Sequence, residues 1–227
     1  MRIPSYIPWL AIILLCAAVV WFLLGPVLGF GSVIPDPAQA VITSGSLGPG
    51  GGGLYQEQLP VPVVFNTSLG DWNYTITAQY RYTIIAMVVT RRDYTGQGAD
   101  QITPVDFGIA CCDVIRPENF QYFTFSADFR KPIFTYRYPP GSVPLPVWYV
   151  QRFISNNHLV FLNDSVYKLA QAVQAGDCVV IRGYLVDITG TTESGGTYSR
   201  STSVIRNDAY LTGCETVLVE SLTKVKC

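Results

Sequence analysis

The 227-residue sequence is poor in charge and in histidine. Only 14% of its residues are charged, 15 basic side chains stand against 16 acidic ones, and His158 is the single histidine. A chain without surplus positive charge is poorly suited to hold a nucleic-acid backbone, so no nucleic-acid partner is expected. Because the chain has a single imidazole, neither a histidine-based metal site nor a histidine proton shuttle is expected. We therefore expect no metal and no cofactor, and the sequence reveals no reaction.

Charge is absent altogether from residue 3 to residue 35, and this gap contains an almost continuously apolar run over residues 7–24. As a helix the run would span roughly 27 Å, close to the hydrocarbon thickness of a bilayer. Trp9 and Trp21 lie near its two ends, as in the aromatic belts at headgroup depth. Residues 1–30 are therefore predicted to form an N-terminal transmembrane helix that anchors the protein in the membrane.

The flanking charges predict the orientation of this anchor. Arg2 precedes the apolar run, whereas the first charge after it is Asp36. By the positive-inside bias, the N-terminus is cytoplasmic and the C-terminal part of this single-pass protein is extracytoplasmic. A cleaved signal peptide is the alternative, because residues 38–40 (Ala-Gln-Ala) resemble a cleavage site. That site lies far beyond the apolar run, which is also longer than a usual signal core, so an uncleaved signal anchor is favoured.

The composition changes after the anchor. Residues 31–58 are rich in proline and glycine and include the run Gly50 to Gly53. Such a segment has few side chains to bury and is expected to be a linker. A phosphate-binding glycine loop would need a lysine at its end, and none is present. The remaining residues, 59–227, are predicted to form one exported domain.

This exported domain is predicted to be β-rich. β-branched and aromatic residues, which favour strands, dominate several short segments separated by glycine and proline. The predicted strands cover residues 72–91, 105–114, 120–125, 133–138, 147–154, 178–188, 198–205 and 215–220. Many short strands with such turn signals indicate a small β-barrel or sandwich rather than a parallel α/β sheet.

One helix is predicted near residues 164–175. Asn163 and Ser165 offer side-chain oxygens to cap its start, and Gly176 can end it in the left-handed conformation. The chain then enters a long strand in which Gly183 suggests a bulge or bend. The pattern of residues 176–185 (GDCVVIRGYL) resembles a strand of OB-fold barrels. By this resemblance we expect a mainly β, OB-like domain with one helix.

A second resemblance covers roughly residues 70–220. The sequence is similar to a group of uncharacterised prokaryotic proteins with one N-terminal anchor and an exported β-rich domain. The residues that carry the similarity are Ser155 to Leu159, Gly183 to Val186, Ser201 to Ser203, Arg206, Asp208, Gly213 to Glu215, Val217 and Val219. The group has no known activity. The resemblance therefore implies architecture and location but no mechanism.

His158 is the first candidate for chemistry. A Ser-His-Asp arrangement would have to use it, but no Gly-x-Ser-x-Gly elbow is present to offer a nucleophile. The favoured interpretation is that Asn156, Asn157 and His158 form a polar turn between a strand and a helix. Asn157 and His158 remain candidates for binding a ligand or partner.

Five cysteines follow the anchor segment. Disulfides are the default in an exported domain, whereas zinc would need most of the thiols, and no Cys-x-x-Cys occurs. The disulfide candidates are Cys111, Cys112, Cys214 and Cys227. Cys178 is predicted to be a buried free thiol inside an apolar strand. Adjacent cysteines in a strand point to opposite faces, so different partners are expected for Cys111 and Cys112.

Aromatic side chains crowd into residues 120–138. On a strand, Phe134, Tyr136 and Tyr138 would share one face. Such a face could stack on sugar rings or form the apolar centre of a protein interface. The competing interpretation is that these rings belong to the core.

Three sequons are compatible with an extracytoplasmic surface. They begin at Asn66, Asn73 and Asn163.

These observations favour a non-catalytic, membrane-anchored extracytoplasmic domain that binds a protein partner, as an accessory or structural subunit of a larger membrane complex. One alternative is a carbohydrate or cell-envelope binding module that uses the aromatic face. Another is a hydrolase-type enzyme centred on His158.

Overall fold

Strands dominate the computed structural model, which describes residues 53–96, 99–128, 131–137, 142–204 and 214–227. The strands are β1 (Gly53–Leu69), β2 (Trp72–Asp93), β3 (Val105–Ala110), β4 (Phe123–Asp128), β5 (Lys131–Tyr136), β6 (Ile154–Val160), β7 (Cys178–Thr192), β8 (Thr197–Arg200) and β9 (Cys214–Val225). The helices are α1 (Ala99–Ile102), α2 (Pro117–Phe120), α3 (Val147–Arg152) and α4 (Asp164–Gln171), and Cys112–Ile115 form a 3-10 turn. The protein is therefore mainly β, as its composition predicts. Strand β1 begins at Gly53, within the range predicted as linker.

Seven strands form one sheet in the order β1-β2-β3-β6-β9-β7-β8, and β2 also pairs with β7. This double role is possible because β2 is 22 residues long. Residues 72–87 of β2 pair with β7, and residues 87–93 pair with β3. The pairings close β2, β3, β6, β9 and β7 into a ring. Strands β6 and β9 run parallel, while the other neighbours in the described residues are antiparallel.

Gly183 allows β7 to bend into this ring. The register between β7 and β9 shifts between Arg182 and Gly183, as expected for a bulge. A Cβ atom at position 183 would lie 1.9 Å from the carbonyl oxygen of Leu218. No side chain fits at that separation, so the predicted role of Gly183 is confirmed.

The described residues form three apolar clusters. One of them packs the first half of β2 against the second half of β7, through Ile76, Val186 and Ile188 among others, and the other two are named here. The first, here called the ring core, joins all five ring strands to α4 and comprises Tyr82, Ile84, Ala86, Val88, Val105, Phe107, Ile109, Cys111, Leu159, Val166, Ala170, Val173, Val179, Ile181, Leu185, Val217, Val219 and Leu222. The second, here called the hairpin cluster, has buried members Ala110, Val114, Ile115, Phe123, Val150 and Ile154. Strands β4 and β5 form a separate two-stranded sheet over this second cluster.

Helix α4 packs against the ring core and confirms the predicted helix. Asn163 caps its start, since the side-chain Oδ1 accepts a hydrogen bond from Ser165 N at 2.8 Å. At its other end, Arg91 of β2 donates to the carbonyl oxygens of Ala170, Gln171 and Val173. The helix ends at Gln171, earlier than predicted, and the chain turns at Gly176, whose φ is +97°.

The segment before β6 differs from its prediction. Residues 147–154 were expected to be a strand, but Val147–Arg152 form α3. The N–H groups of Tyr149 and Val150 donate to the carbonyl of Pro146, which starts the helical turn. The helix buries Val150 in the hairpin cluster, and tertiary packing thus outweighs the strand preference of Val, Trp and Tyr.

Candidate functional site

Strand β6 carries an unusual run of buried polar residues, Ser155 to His158. The sequence predicted a polar turn here, and that prediction is wrong, because the run is a ring strand between β3 and β9. Buried polar groups need hydrogen-bond partners. Residues of β2 and β3 supply them from both faces of β6, and this is why the polar run is stable inside the ring.

On one face of β6, an aspartate orients the histidine. His158 Nδ1 lies 2.7 Å from Asp106 Oδ1, and since a carboxylate only accepts, Nδ1–H is the donor. The other oxygen, Asp106 Oδ2, accepts from Asn156 Nδ2 at 3.1 Å and from the hydroxyl of Tyr94 at 2.9 Å. His158 is 3% exposed and Asp106 is 2% exposed. Tyr94 is half-buried, and the four side chains together form a polar network, here called the Asp106 network.

The opposite face of β6 bears a second, smaller set of hydrogen bonds. The hydroxyl of Tyr82 donates to Asn157 Oδ1 at 3.2 Å, and Asn157 Nδ2 donates to Ser155 Oγ at 3.0 Å. Tyr82 belongs to the ring core, so Asn157 points toward that core. Both candidate residues of β6, Asn157 and His158, are therefore buried parts of the ring.

The strand register places Asp106, His158 and Thr216 side by side on β3, β6 and β9. An acid, an imidazole and a hydroxyl in this order is the set that nucleophilic catalysis uses. The hydroxyl of Thr216, however, is buried and has no hydrogen-bond partner among the described residues. Since all three side chains are almost fully buried, a substrate has no access to them in this conformation.

The predicted aromatic face lies on β5. Phe134 and Tyr136 are half-buried and pack against fully buried Phe123, with ring centroids 6.0 Å and 5.4 Å away. Burial raises the pKa of Tyr136. Tyr138, the third predicted member, lies outside the described residues. The two described rings thus cover the hairpin cluster and present only part of their surface to solvent.

The five cysteines that the structure describes divide into a bonded pair and three thiols. Cys227 forms a disulfide with Cys178, which the sequence had favoured as a buried thiol. The bond ties the last residue to the start of β7. Cys111, Cys112 and Cys214 lie outside disulfides, but the sulfurs of Cys111 and Cys112 are 3.0 Å apart. These neighbours do not point to opposite faces, because β3 ends at Ala110 and the backbone turns at Cys112.

Sequence reasoning missed a set of exposed apolar side chains on edge strand β1. Four of its large apolar side chains are exposed, and we call this set the β1 patch: Leu54, Val61, Val63 and Val64. Val63 and Val64 are consecutive and point to opposite faces of the strand, so the set flanks the strand edge on both faces. Val61 is 70% exposed. The sequence feature that could have predicted these exposed side chains is the segment 59–65 (LPVPVVF), in which Val61 and Val63 alternate with proline instead of with polar residues.

The three sequon asparagines are exposed. Asn66 and Asn73 lie on β1 and β2, where their Oδ1 atoms accept from Thr75 and Ser68, and Asn163 caps α4.

The predicted anchor, with Trp9 and Trp21, lies outside the described residues. Within the residues that are described, no helix combines the length and the hydropathy needed to cross a membrane.

No cluster of three or more His, Cys, Asp or Glu side chains suited to a metal ion occurs in the described ranges. Comparison of the chain with protein-family models, with curated proteins and with solved structures finds no match.

Proposed function

We propose that this protein is a membrane-anchored, extracytoplasmic domain of OB-like architecture that binds a protein partner and performs no catalysis itself. It would serve as an accessory or structural subunit of a larger membrane complex. The observation that carries the proposal is the β1 patch on an edge strand. The supporting arguments are the ring topology, the burial of the candidate catalytic residues and the charge balance.

The OB-like assignment rests on the order of the ring strands. Five strands close in the order β2-β3-β6-β9-β7, with β6 parallel to β9 and α4 between β6 and β7. A closed five-stranded barrel with one helix after its third strand is the arrangement of OB folds, which are mostly binding modules. Fold alone does not decide what is bound.

A protein partner fits the exposed surface better than the other classes that OB-like domains bind. Nucleic acid is disfavoured by the 15 basic and 16 acidic residues. A sugar-stacking platform needs open aromatic faces, whereas Phe134 and Tyr136 rest on Phe123. The β1 patch places exposed valines beside the edge of β1 that no described strand pairs with, and apolar side chains next to such an edge are what strand-to-strand association uses.

The test is affinity purification of the full-length protein from gently solubilised native membranes, with Val64→Asp as the disruptive variant. Leu169→Asp is the matched control, because Leu169 is also exposed but lies on α4. We expect a stoichiometric partner with the wild-type protein and with Leu169→Asp, and its loss with Val64→Asp. A lone monomer in all three preparations would refute the proposal, as would equal retention by both variants.

An enzyme centred on His158 is a second candidate, favoured by the 2.7 Å hydrogen bond between His158 and Asp106. The single histidine makes the test direct: the folded protein is treated with diethyl pyrocarbonate, and modification of His158 is followed by mass spectrometry. An active-site imidazole reacts in the folded protein. An imidazole buried as in this structure reacts only when urea unfolds the chain, and this result would remove the second candidate.

A further inference from the structure

Cys111 and Cys112 have a backbone geometry that brings neighbouring sulfurs together. Cys112 has a φ of +61°, and it is the one non-glycine residue with positive φ in the part of the chain that the structure describes. This left-handed conformation is rare for residues with a Cβ. It turns the Cys112 side chain back toward Cys111, so the two Sγ atoms lie 3.0 Å apart.

The surrounding chain holds this geometry in place. Cys111 N donates to the carbonyl of Phe153 at 2.9 Å, and on the other side the carbonyl of Asp113 accepts from Asn119 Nδ2 at 2.8 Å. The Asp113 carboxylate accepts from the hydroxyl of Tyr149 at 2.6 Å. Cys111 is buried and Cys112 is half-buried, so a reagent from solvent reaches the Cys112 sulfur first.

We propose that Cys111 and Cys112 form a dithiol site that a disulfide oxidant converts into a vicinal disulfide. The Cys112 thiolate attacks the oxidant RS–SR, forms a mixed disulfide and expels RS⁻, which takes up the proton lost by Cys112. Cys111 then loses its proton, attacks the Cys112 sulfur and expels the second thiol. The net step converts two protein thiols and RSSR into one S–S bond and two RSH, and a dithiol reductant reverses it.

The vicinal bond should be easier to reduce than the Cys178–Cys227 bond. Consecutive Cα atoms are about 3.8 Å apart, below the range of about 4.4–6.8 Å in which disulfides are relaxed. The Cα atoms of Cys178 and Cys227 are 5.3 Å apart, inside that range. Strained or exposed disulfides have more oxidising potentials, and these bonds are the labile ones.

The purified full chain provides the test. It is equilibrated with oxidised glutathione, unfolded in guanidinium chloride with N-ethylmaleimide present so that buried thiols are also labelled, and digested with trypsin. Because trypsin does not cut between Arg116 and Pro117, the peptide 93–130 contains Cys111 and Cys112 and no third cysteine. We expect this peptide without label and two hydrogen atoms lighter than its reduced form. Two maleimide labels, or two glutathione adducts, would overturn the proposal.

A dithiothreitol titration gives the second readout, with Cys178–Cys227 as the internal reference. We expect the peptide 93–130 to regain both thiols at a dithiothreitol concentration about tenfold or more below that needed for the reference bond. Reduction of both bonds together would contradict the strained geometry.

Two cysteine variants identify which cysteines form the new disulfide bond. Cys112→Ser should leave a single maleimide label on the peptide, whereas Cys214→Ser should leave the vicinal bond unchanged. If Cys214→Ser also restores labelling of the peptide, the bond is with Cys214 and the proposal fails.

Discussion

The ring core and the hairpin cluster bury aromatic side chains in different ways. In the ring core, Phe107 and Tyr82 are fully enclosed by five strands and α4. In the hairpin cluster, Phe123 is fully buried, but the rings that cover it, Phe134 and Tyr136, remain half-exposed. Interior packing is dense and relaxes little, whereas a half-exposed layer can shift. We therefore expect the ring to contribute more to the stability of the fold than β4 and β5 do.

The largest expected effect is at the bend of the ring. Gly183→Val should abolish folding or lower the free energy of unfolding by at least about 4 kcal/mol, beyond the usual effect of overpacking, because backbone atoms block the new Cβ. Urea unfolding followed by tryptophan fluorescence measures this. Gly53→Ala is the control, since nothing lies within 4 Å of a Cβ there. Near-wild-type stability of Gly183→Val would mean that the ring opens at β7 and β9.

Matched phenylalanine deletions compare the two clusters directly. Phe107→Ala and Phe123→Ala remove equally buried rings. We expect a loss of about 4 kcal/mol for Phe107→Ala and about 3 kcal/mol or less for Phe123→Ala, because Phe134 and Tyr136 can collapse into the space. The measurement is again urea unfolding. Equal losses would remove the distinction between the ring core and the hairpin cluster.

The parts that could be predicted from the sequence are those whose signals are local. β-branched runs specify β2 and β7, Asn163 specifies the start of α4, and Gly183 marks the bulge. Each of these depends on residues within a few positions of one another. The ring order was not predictable in the same way, because it depends on pairings between distant strands.

The Asp106 network shows where local signals fail. Asn156, Asn157 and His158 look like a turn, because in isolation their side chains would bond nearby backbone or water. Their partners Asp106 and Tyr82 are 52 and 75 residues away along the chain. His158 and Asn157 were therefore identifiable as unusual residues, but their burial and the aspartate beside the imidazole were not.

A smaller effect is expected where α4 joins the ring. Arg91→Met should lower the free energy of unfolding by about 2 kcal/mol, because carbonyl oxygens in and after the last turn of α4 lose their donor and the helix end loses a favourable charge. Arg92→Met is the control, since Arg92 is exposed on the neighbouring position of β2. Amide hydrogen exchange should show faster exchange in α4 for Arg91→Met, with the β4–β5 hairpin unchanged. Faster exchange in the hairpin would mean that the two regions unfold together.

The smallest expected effect is on the ring's exposed rim, where Asp177 precedes β7. A hydrogen bond from Lys224, with a second from Gln174 N, lowers the pKa of Asp177 below its usual value. The pKa of Asp177 is lower in the folded state than in the unfolded state. The stability that the Asp177–Lys224 contact provides is therefore complete above the unfolded-state pKa of about 3.9, and it is lost as the pH falls through the folded-state pKa. Lys224→Met should therefore be less stable than wild type at pH 7, by no more than about 1 kcal/mol for a solvent-screened pair. The difference should vanish in urea unfolding below the folded-state pKa, where Asp177 is protonated in both proteins. A difference that persists there would assign the effect of Lys224 to its packing on β9 rather than to its charge.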